Sequence, residues 1–223
     1  MSNQTPGRVI TNKLITPAII LGGFVALIWL LEIIDTLLLN QSLNRLGIWP
    51  RHLIGLRGIL FMPFLHGDLG HVAANTLPFL FLGAIVMLRS FRDFVIVTLT
   101  TMLFSGIVLW LFGNERAIYI GASGLVFGYF GFLLLRSYFD RSVQSIAIAL
   151  VIFLLYGGLI FGLFPQQPGV SWGAHLSGFV GGALAAWFIA RSRPGRSPII
   201  DAPDFQHLPT ESEDNVADQI HIL

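Results

Sequence analysis

The stretch Trp172-Gly-Ala-His-Leu-Ser-Gly-Phe-Val-Gly-Gly-Ala-Leu-Ala-Ala-Trp-Phe-Ile-Ala190 is apolar along almost its whole length. About 20 such residues, coiled as a helix, span the hydrocarbon core of a bilayer. Small residues recur in it every four positions, in two series: Ala174, Gly178 and Gly182, and Gly173, Ser177 and Gly181. Small residues at this spacing let a second helix approach closely. The stretch therefore predicts a transmembrane helix in close contact with a neighbouring helix.

The composition places the rest of the chain in the same environment. Hydrophobic residues make up 54% of the 223 residues and charged residues only 11%, and the mean hydropathy is +0.75. A typical soluble domain is about one quarter charged. Six apolar runs are long enough to cross a bilayer as helices: residues 17–39, 68–88, 94–112, 117–135, 143–163 and 172–190. We predict an all-α polytopic membrane protein, a bundle of six transmembrane helices. The absence of cysteine excludes a disulfide framework and a thiol nucleophile.

The basic residues predict how the bundle is oriented. With a cytoplasmic N-terminus, the inside segments hold Arg8, Lys13, Arg89, Arg92, Arg136, Arg141, Arg191, Arg193 and Arg196. The outside loops then hold only Arg45, Arg51, Arg57 and Arg116. This excess follows the positive-inside rule. We expect a multi-pass protein of the plasma (inner) membrane of a prokaryote, with both termini in the cytoplasm.

Three parts are predicted along the chain. Residues 1–15 are expected to form a short cytoplasmic N-terminus, residues 16–191 a six-helix membrane domain, and residues 192–223 an acidic, disordered cytoplasmic tail. Thr16 and Pro17 fit an N-cap followed by proline at the first helical position.

The segment between the first two helices has a mixed character. Residues 40–65 combine apolar side chains with three arginines, which predicts an interfacial loop lying partly among the lipid headgroups. Glu32 and Asp35 are expected near the water-facing end of the first helix, and no chemistry is assigned to them.

The second apolar run carries polar residues. His71 and Asn75 are four residues apart, so their side chains share one face of a helix. A histidine in such a place can simply form a hydrogen bond between helices, or it can belong to a functional site. A metal site is a third interpretation, but no nearby carboxylate or cysteine completes it, and asparagine is a poor zinc ligand.

The fourth run contains Gly121-Ala122-Ser123-Gly124. Its glycines can serve ordinary helix packing, and a serine in a membrane usually bonds its own backbone. Alternatively, the helix begins at Ser123, inside the apolar run, and directs unpaired N–H groups and a positive dipole end at the serine. Ser105, Ser145 and Ser177 follow no such glycine-opened start and are weaker candidates for a nucleophile. His175 stands beside the small residues of the last run, so the fourth and sixth helices are best able to bring a hydroxyl close to an imidazole.

Taken together, these motifs resemble the rhomboid family of intramembrane serine proteases. The shared pattern is His-x4-His-x3-Asn in the second span, Gly-x-Ser-Gly at the fourth and Gly-Ala-His in the sixth. The resemblance implies a six-helix bundle and a dyad in which Ser123 is the nucleophile and His175 the general base. It also implies an oxyanion hole formed by His71, Asn75 and the backbone N–H of Ser123.

Further residues take supporting roles in the same comparison. His66, Gly121 and Gly124 shape the pocket, and Phe127 holds the place where many relatives have a tyrosine stacked on the histidine. Phe153, Tyr156 and Phe161 of the fifth helix are expected to gate the lateral access of a substrate.

The predicted activity is cleavage of transmembrane helices near the outer face of the membrane. The expected partners are transmembrane protein substrates and the lipid bilayer, with no nucleic acid, metal or cofactor. One alternative is a non-catalytic rhomboid-like chaperone or quality-control factor, although Ser123 and His175 are both present. A histidine-based proton or metal transporter predicts paired intramembrane carboxylates or an internal repeat, and the sequence has neither.

Overall fold

The computed structural model describes residues 6–165 and 171–192, with side chains from Leu14 onward. Six long helices follow one another: α1 (Pro6–Leu38), α2 (Leu69–Arg89), α3 (Phe91–Phe112), α4 (Ser123–Asp140), α5 (Val143–Tyr156) and α6 (Trp172–Arg191). This architecture confirms the predicted all-α six-helix bundle. Nearly all of the expected acidic tail, 192–223, and part of the expected N-terminus, 1–15, lie outside the described residues.

Five apolar segments of the described chain are long enough to cross a membrane: Leu14–Leu38, Leu69–Arg89, Phe91–Phe112, Val143–Leu163 and Trp172–Arg191. The remaining helix, α4, is shorter and less apolar, and the other helices surround it. Residues 124–133 of α4 are all buried, although ten consecutive residues of a helix point in every direction around its axis. A helix that meets protein on all sides needs little lipid-compatible surface, which explains its lower hydropathy.

Glycines bring α4 and α6 into backbone contact. A Cβ atom added at Gly178 would collide with the carbonyl of Gly124, and one added at Gly182 would collide with the carbonyl of Gly128. The small-residue spacing of the sixth run therefore predicted its neighbour correctly. This contact, the glycine seam, fixes how closely the two helices lie.

The start of α1 corrects one prediction. The helix begins at Pro6 and continues through Pro17, so an N-cap at Thr16 is wrong. Proline inside a transmembrane helix is tolerated where neighbouring groups satisfy the freed backbone carbonyl.

Glu32 and Asp35 lie near the end of α1, where their side chains are buried although Leu37 and Leu38 beside them are exposed. Each of the two acidic side chains is 2% exposed. Glu32 accepts hydrogen bonds from Thr36 and Gln41, and Asp35 accepts one of 2.9 Å from the backbone N–H of Leu43. The two carboxylates therefore hold the chain where it leaves α1 and enters the interfacial loop.

The interfacial loop is a series of short helical turns: Ser42–Leu46, Leu53–Arg57, Gly58–Phe61 and Met62–Phe64. Its apolar side chains include Leu53 and Leu60, which are 81% and 60% exposed and suit contact with lipid. Ile48 and Tyr119 exchange two backbone hydrogen bonds of 3.0 and 2.9 Å. The loop is thereby tied to the segment that leads into α4.

Candidate active site

α4 begins at Ser123, six residues after the start of the apolar run 117–135. The helix therefore starts inside the run, as one interpretation predicted, and Gly124 and Gly128 also pack against α6, as the other predicted. No side chain caps this helix end, and no hydrogen bond of the Ser123 N–H is found in the part of the chain that the structure describes. The first turn of a helix has backbone donors without partners inside the helix. Ser123 thus lies beside free N–H groups and at the positive end of the helix dipole.

Gly121 brings the loop before Ser123 against His71. Its φ angle of +114° belongs to the left-handed region that glycine tolerates best. A Cβ atom at this position would lie 2.9 Å from both Cε1 and Nε2 of His71 and 3.8 Å from the Oγ of Ser123. Glycine is therefore required for conformation and for space, and the His71 ring edge is a close neighbour of Ser123.

His66 holds the residue before the serine. Its Nε2 accepts a hydrogen bond of 3.3 Å from the N–H of Ala122, and the side chain is 1% exposed. Burial, with a smaller effect of nearby His71, lowers the pKa of His66 to about 4. The ring is therefore neutral near pH 7 and able to act as an acceptor. It supports the turn from which α4 starts.

His71 and Asn75 lie in the first two turns of α2. Asp68 caps this helix by accepting a hydrogen bond of 2.8 Å from the backbone N–H of His71. Asn75 is only 6% exposed, and its Nδ2 is buried without a hydrogen-bond partner among the described residues. A buried donor without an acceptor is rare and calls for an explanation.

Two contacts orient His175. Its ring stacks on Phe127, with 4.1 Å between ring centroids and 9° between planes. Its Nδ1 lies 3.0 Å from the carbonyl oxygen of Gly162. A carbonyl can only accept, so Nδ1 donates, and the Nε2 of the neutral ring keeps a free lone pair. That tautomer is the one a general base needs.

A cavity of about 1460 Å³ brings these groups together. Its lining includes Ser123, His175, His71, Asn75, Phe127 and Gly162. Across the described residues, no direct hydrogen bond joins Ser123 to His175; such bonds are often long before a substrate binds. Gly124 stands apart from the cavity and belongs to the glycine seam. No group of three or more His, Cys, Asp or Glu side chains suited to a metal is found within residues 6–165 and 171–192.

A sequence profile described as the Rhomboid domain matches residues 53–192. The chain belongs to the rhomboid family. The matched range runs from the interfacial loop to the end of α6 and includes every residue of the predicted site. The resemblance inferred from the three motifs is therefore confirmed.

The relatives of this rhomboid come from bacteria and plants. An uncharacterized protein of Mycobacterium tuberculosis is 40% identical over 200 residues, which cover 84% of this chain and 82% of that protein. RHOMBOID-like protein 1 of Arabidopsis thaliana is 33% identical over 138 residues, 59% of this chain and 34% of the plant protein. RHOMBOID-like protein 4 of the same plant is 30% identical over 155 residues.

The three predicted gate residues of this rhomboid differ in their surroundings. Tyr156, at the end of α5, stacks on Phe81 of α2 with 5.4 Å between ring centroids. Phe153 and Phe161 are 50% and 64% exposed. In the part of the chain that the structure describes, Tyr156 is thus the one gate residue that joins α5 to α2 through a ring contact. The chain continues beyond it as a 3-10 helix, Gly157–Leu163.

Two contributors to the site were missed by the sequence analysis. The carbonyl of Gly162 and the N–H of Ala122 are backbone groups, which every residue type has. The sequence signal at Gly162 is only its lack of a side chain. A Cβ there would lie 2.9 Å from the Phe127 ring and 3.4 Å from Nδ1 of His175.

Proposed function

We propose that this rhomboid is an intramembrane serine endopeptidase that cleaves transmembrane helices near the outer face of the membrane through a Ser123–His175 dyad. The observation that carries the proposal is the buried Nδ2 of Asn75, which has no hydrogen-bond partner among the described residues and lies at the cavity shared by Ser123 and His175. A donor without an acceptor has a use when a substrate oxygen becomes negatively charged beside it. A purely structural asparagine gains nothing from this arrangement.

In the proposed reaction, the Oγ of Ser123 attacks the scissile carbonyl carbon and its proton passes to Nε2 of His175. The C=O π electrons move onto oxygen, which becomes an oxyanion. When the C–N bond breaks, His175 returns the proton to the leaving amine, and an acyl-enzyme remains on Ser123. Water then attacks the ester with His175 again acting as the base, which releases the acid product and restores Ser123.

The oxyanion is stabilised by donors that are in place before the reaction. These are the N–H of Ser123, the Nδ2 of Asn75 and the ring of His71, which Gly121 keeps close to Ser123. Preorganised donors of this kind contribute about 10²–10³-fold each in other hydrolases. The carbonyl of Gly162 supplies the orienting acceptor that a carboxylate supplies in a triad.

The proposed substrate is a membrane-spanning helix with an unstable outer end. Helical carbonyls are engaged in i→i−4 bonds, so the scissile peptide must first unwind. Hydrolysis also requires water, which reaches membrane depth only through a polar cavity. We place the cavity at the outer face of a prokaryotic plasma membrane, with both termini in the cytoplasm, on the basis of the positive-inside excess.

The proposal is tested by reconstituting the purified protein in liposomes with a tagged single-span substrate that carries a helix-breaking residue near its outer end. Gel electrophoresis follows the products for the wild type and for Ser123→Ala. We expect cleavage by the wild type alone. Absence of cleavage by a folded, correctly inserted wild type against a panel of such substrates would favour the non-catalytic chaperone instead.

A further inference from the structure

We infer that the carbonyl of Gly162 is a positioning group for the catalytic base, and that movement of α5 therefore controls the orientation of His175. The inference rests on the proposed protease function. It adds a third group to the proposed Ser123–His175 site, and this group belongs to the segment that follows α5.

Two contacts hold the imidazole of His175 in place. Two contacts are needed to fix an imidazole: one fixes its plane and the other its rotation within that plane. Stacking on Phe127 fixes the plane, and the hydrogen bond from Nδ1 to Gly162 fixes the rotation and the tautomer. Without the acceptor, the neutral ring is free to carry its proton on Nε2, where it cannot take the proton of Ser123.

The space around Gly162 leaves no room for a side chain. A Cβ at this position would be only 2.9 Å from Cζ of Phe127 and 3.4 Å from Nδ1 of His175. The main chain therefore lies directly against the edge of the stacked pair. A residue with a side chain would push the main chain, and with it the carbonyl, away from the imidazole.

The position of Gly162 in the fold connects it to α5. It belongs to the 3-10 helix Gly157–Leu163, which continues α5 without a break. The segment Val143–Leu163 is the least buried of the five apolar segments, with 6% of its most apolar stretch buried. Among the described residues, its ring contact with α2 is the pair Tyr156–Phe81. If α5 tilts away from α2, Gly162 moves with it and leaves His175.

Substrate access and orientation of the base then require opposite positions of α5. The open state admits a transmembrane helix but lacks an oriented base, and the closed state has an oriented base. A small water-soluble fluorophosphonate, whose phosphorus is attacked by the Oγ of Ser123 with loss of fluoride, needs no lateral opening. Its labelling rate therefore depends only on the orientation of His175. The cleavage rate of a transmembrane substrate depends both on lateral opening and on the orientation of His175.

The hydrogen bond is tested with a fluorophosphonate probe, by measuring the rate of Ser123 labelling in Gly162→Ala and Gly158→Ala. Gly158 lies in the same 3-10 helix, and a Cβ there meets nothing within 4 Å. We expect labelling about 2- to 10-fold slower in Gly162→Ala, the range set by one net hydrogen bond, and a wild-type rate in Gly158→Ala. Equal rates in the two variants would overturn the inference. A wild type that is never labelled would instead contradict the proposed function.

A measurement on the unaltered site guards against misfolding of Gly162→Ala. In ¹⁵N-histidine-labelled protein, the signals of His175 are those that disappear in His175→Ala. We expect a neutral ring with a protonated Nδ1 and an unprotonated Nε2. The opposite tautomer in the wild type would overturn the inference.

The coupling to α5 is tested with Tyr156→Ala, which removes the ring contact to Phe81. We expect slower fluorophosphonate labelling, because Gly162 leaves His175 more often, together with faster cleavage of a transmembrane substrate. Leu154→Ala is the matched control, since Leu154 lies on the same helix and is 73% exposed, and both of its rates should equal those of the wild type. Unchanged or faster labelling in Tyr156→Ala would show that α5 does not control the base.

Discussion

The imidazole of His175 lies parallel to the ring of Phe127, with 4.1 Å between centroids and 9° between planes. Phenylalanine provides this surface without a hydroxyl, so the imidazole of the proposed base is held on one side by an entirely apolar ring. The other restraint on the imidazole is the Gly162 carbonyl. The orientation of the base thus depends on a stacked ring and on a backbone oxygen, and each can be perturbed separately.

Replacing the stacked ring is expected to slow the chemical step. Phe127→Leu keeps an apolar side chain but removes the stack, and we expect kcat to fall about 2- to 10-fold, because such pairs contribute about 0.5–1.5 kcal/mol. The matched control is Phe130→Leu, which alters a buried ring on the same helix that packs on Phe179. The control should lower the unfolding temperature with little change in kcat. An equal loss of kcat in both variants would show that Phe127 acts as a packing residue of the core and not as a support for the imidazole.

Ser123→Ala and His175→Ala are each expected to abolish cleavage of a transmembrane substrate and fluorophosphonate labelling. The double variant should be about as inactive as either single variant, because members of one catalytic unit act non-additively. Rates are compared in detergent after confirming equal unfolding temperatures. Robust cleavage by Ser123→Ala would exclude it as the nucleophile.

Asn75→Ala is expected to lower kcat by about 10- to 10³-fold, because its amide is used only when the oxyanion forms. The same change should have little effect on stability, since the Nδ2 has no partner to lose in the described structure. His71→Ala should show a similar loss of kcat. Loss of thermal stability with unchanged specific activity in both variants would favour a packing role for this face of α2.

The stability of the protein is expected to fall in mild acid because of His66. In the unfolded chain this residue takes up a proton below about pH 6.5, whereas in the folded protein its pKa is about 4. Between these values the unfolded state binds more protons, so the free energy of unfolding decreases as the pH falls, by about 3 kcal/mol in total. Thermal unfolding across this range measures the effect. His66→Gln keeps an acceptor for the Ala122 N–H but cannot titrate, and its profile should be flatter; identical profiles would contradict the assignment.

Separating α5 from α2 is expected to speed the cleavage of transmembrane substrates. Tyr156→Ala removes the ring contact with Phe81, and opening of a lid often limits turnover. Conversely, Phe81→Cys with Tyr156→Cys, joined by a short thiol crosslinker, should slow cleavage, and the natural chain has no cysteine to interfere. A complete crosslink that leaves the cleavage rate of a full transmembrane substrate unchanged would exclude lateral access at this position.

The sequence predicted the parts of the fold that depend on local patterns. Apolar runs of membrane length gave six helices, and the spacing of Gly178 and Gly182 predicted the contact between α4 and α6. The glycine pattern around Ser123 left two interpretations open, and the structure shows both a helix that begins at the serine and glycines that pack against α6. These signals are readable because in a membrane each polar or small residue departs from the apolar background.

Other features depend on contacts that no local pattern encodes. The start of α1 was misplaced because Thr16 and Pro17 fit an N-cap, yet the helix continues through both. The burial of Glu32 arises from the interfacial loop folding back over the end of α1. The Gly162 carbonyl has no sequence signature of its own, since its role follows from where α5 ends relative to His175.

The glycine seam has a consequence for how the protein responds to its bilayer. A membrane that is too thick or too thin acts on lipid-exposed helices by changing their tilt. α5 faces lipid along most of its length, whereas α4 is enclosed and meets α6 through main-chain atoms that have no rotamers to adjust. Mechanical strain from the bilayer is therefore absorbed by the peripheral helices. We therefore expect the distance between the Ser123 and His175 backbones to change little between thin and thick membranes.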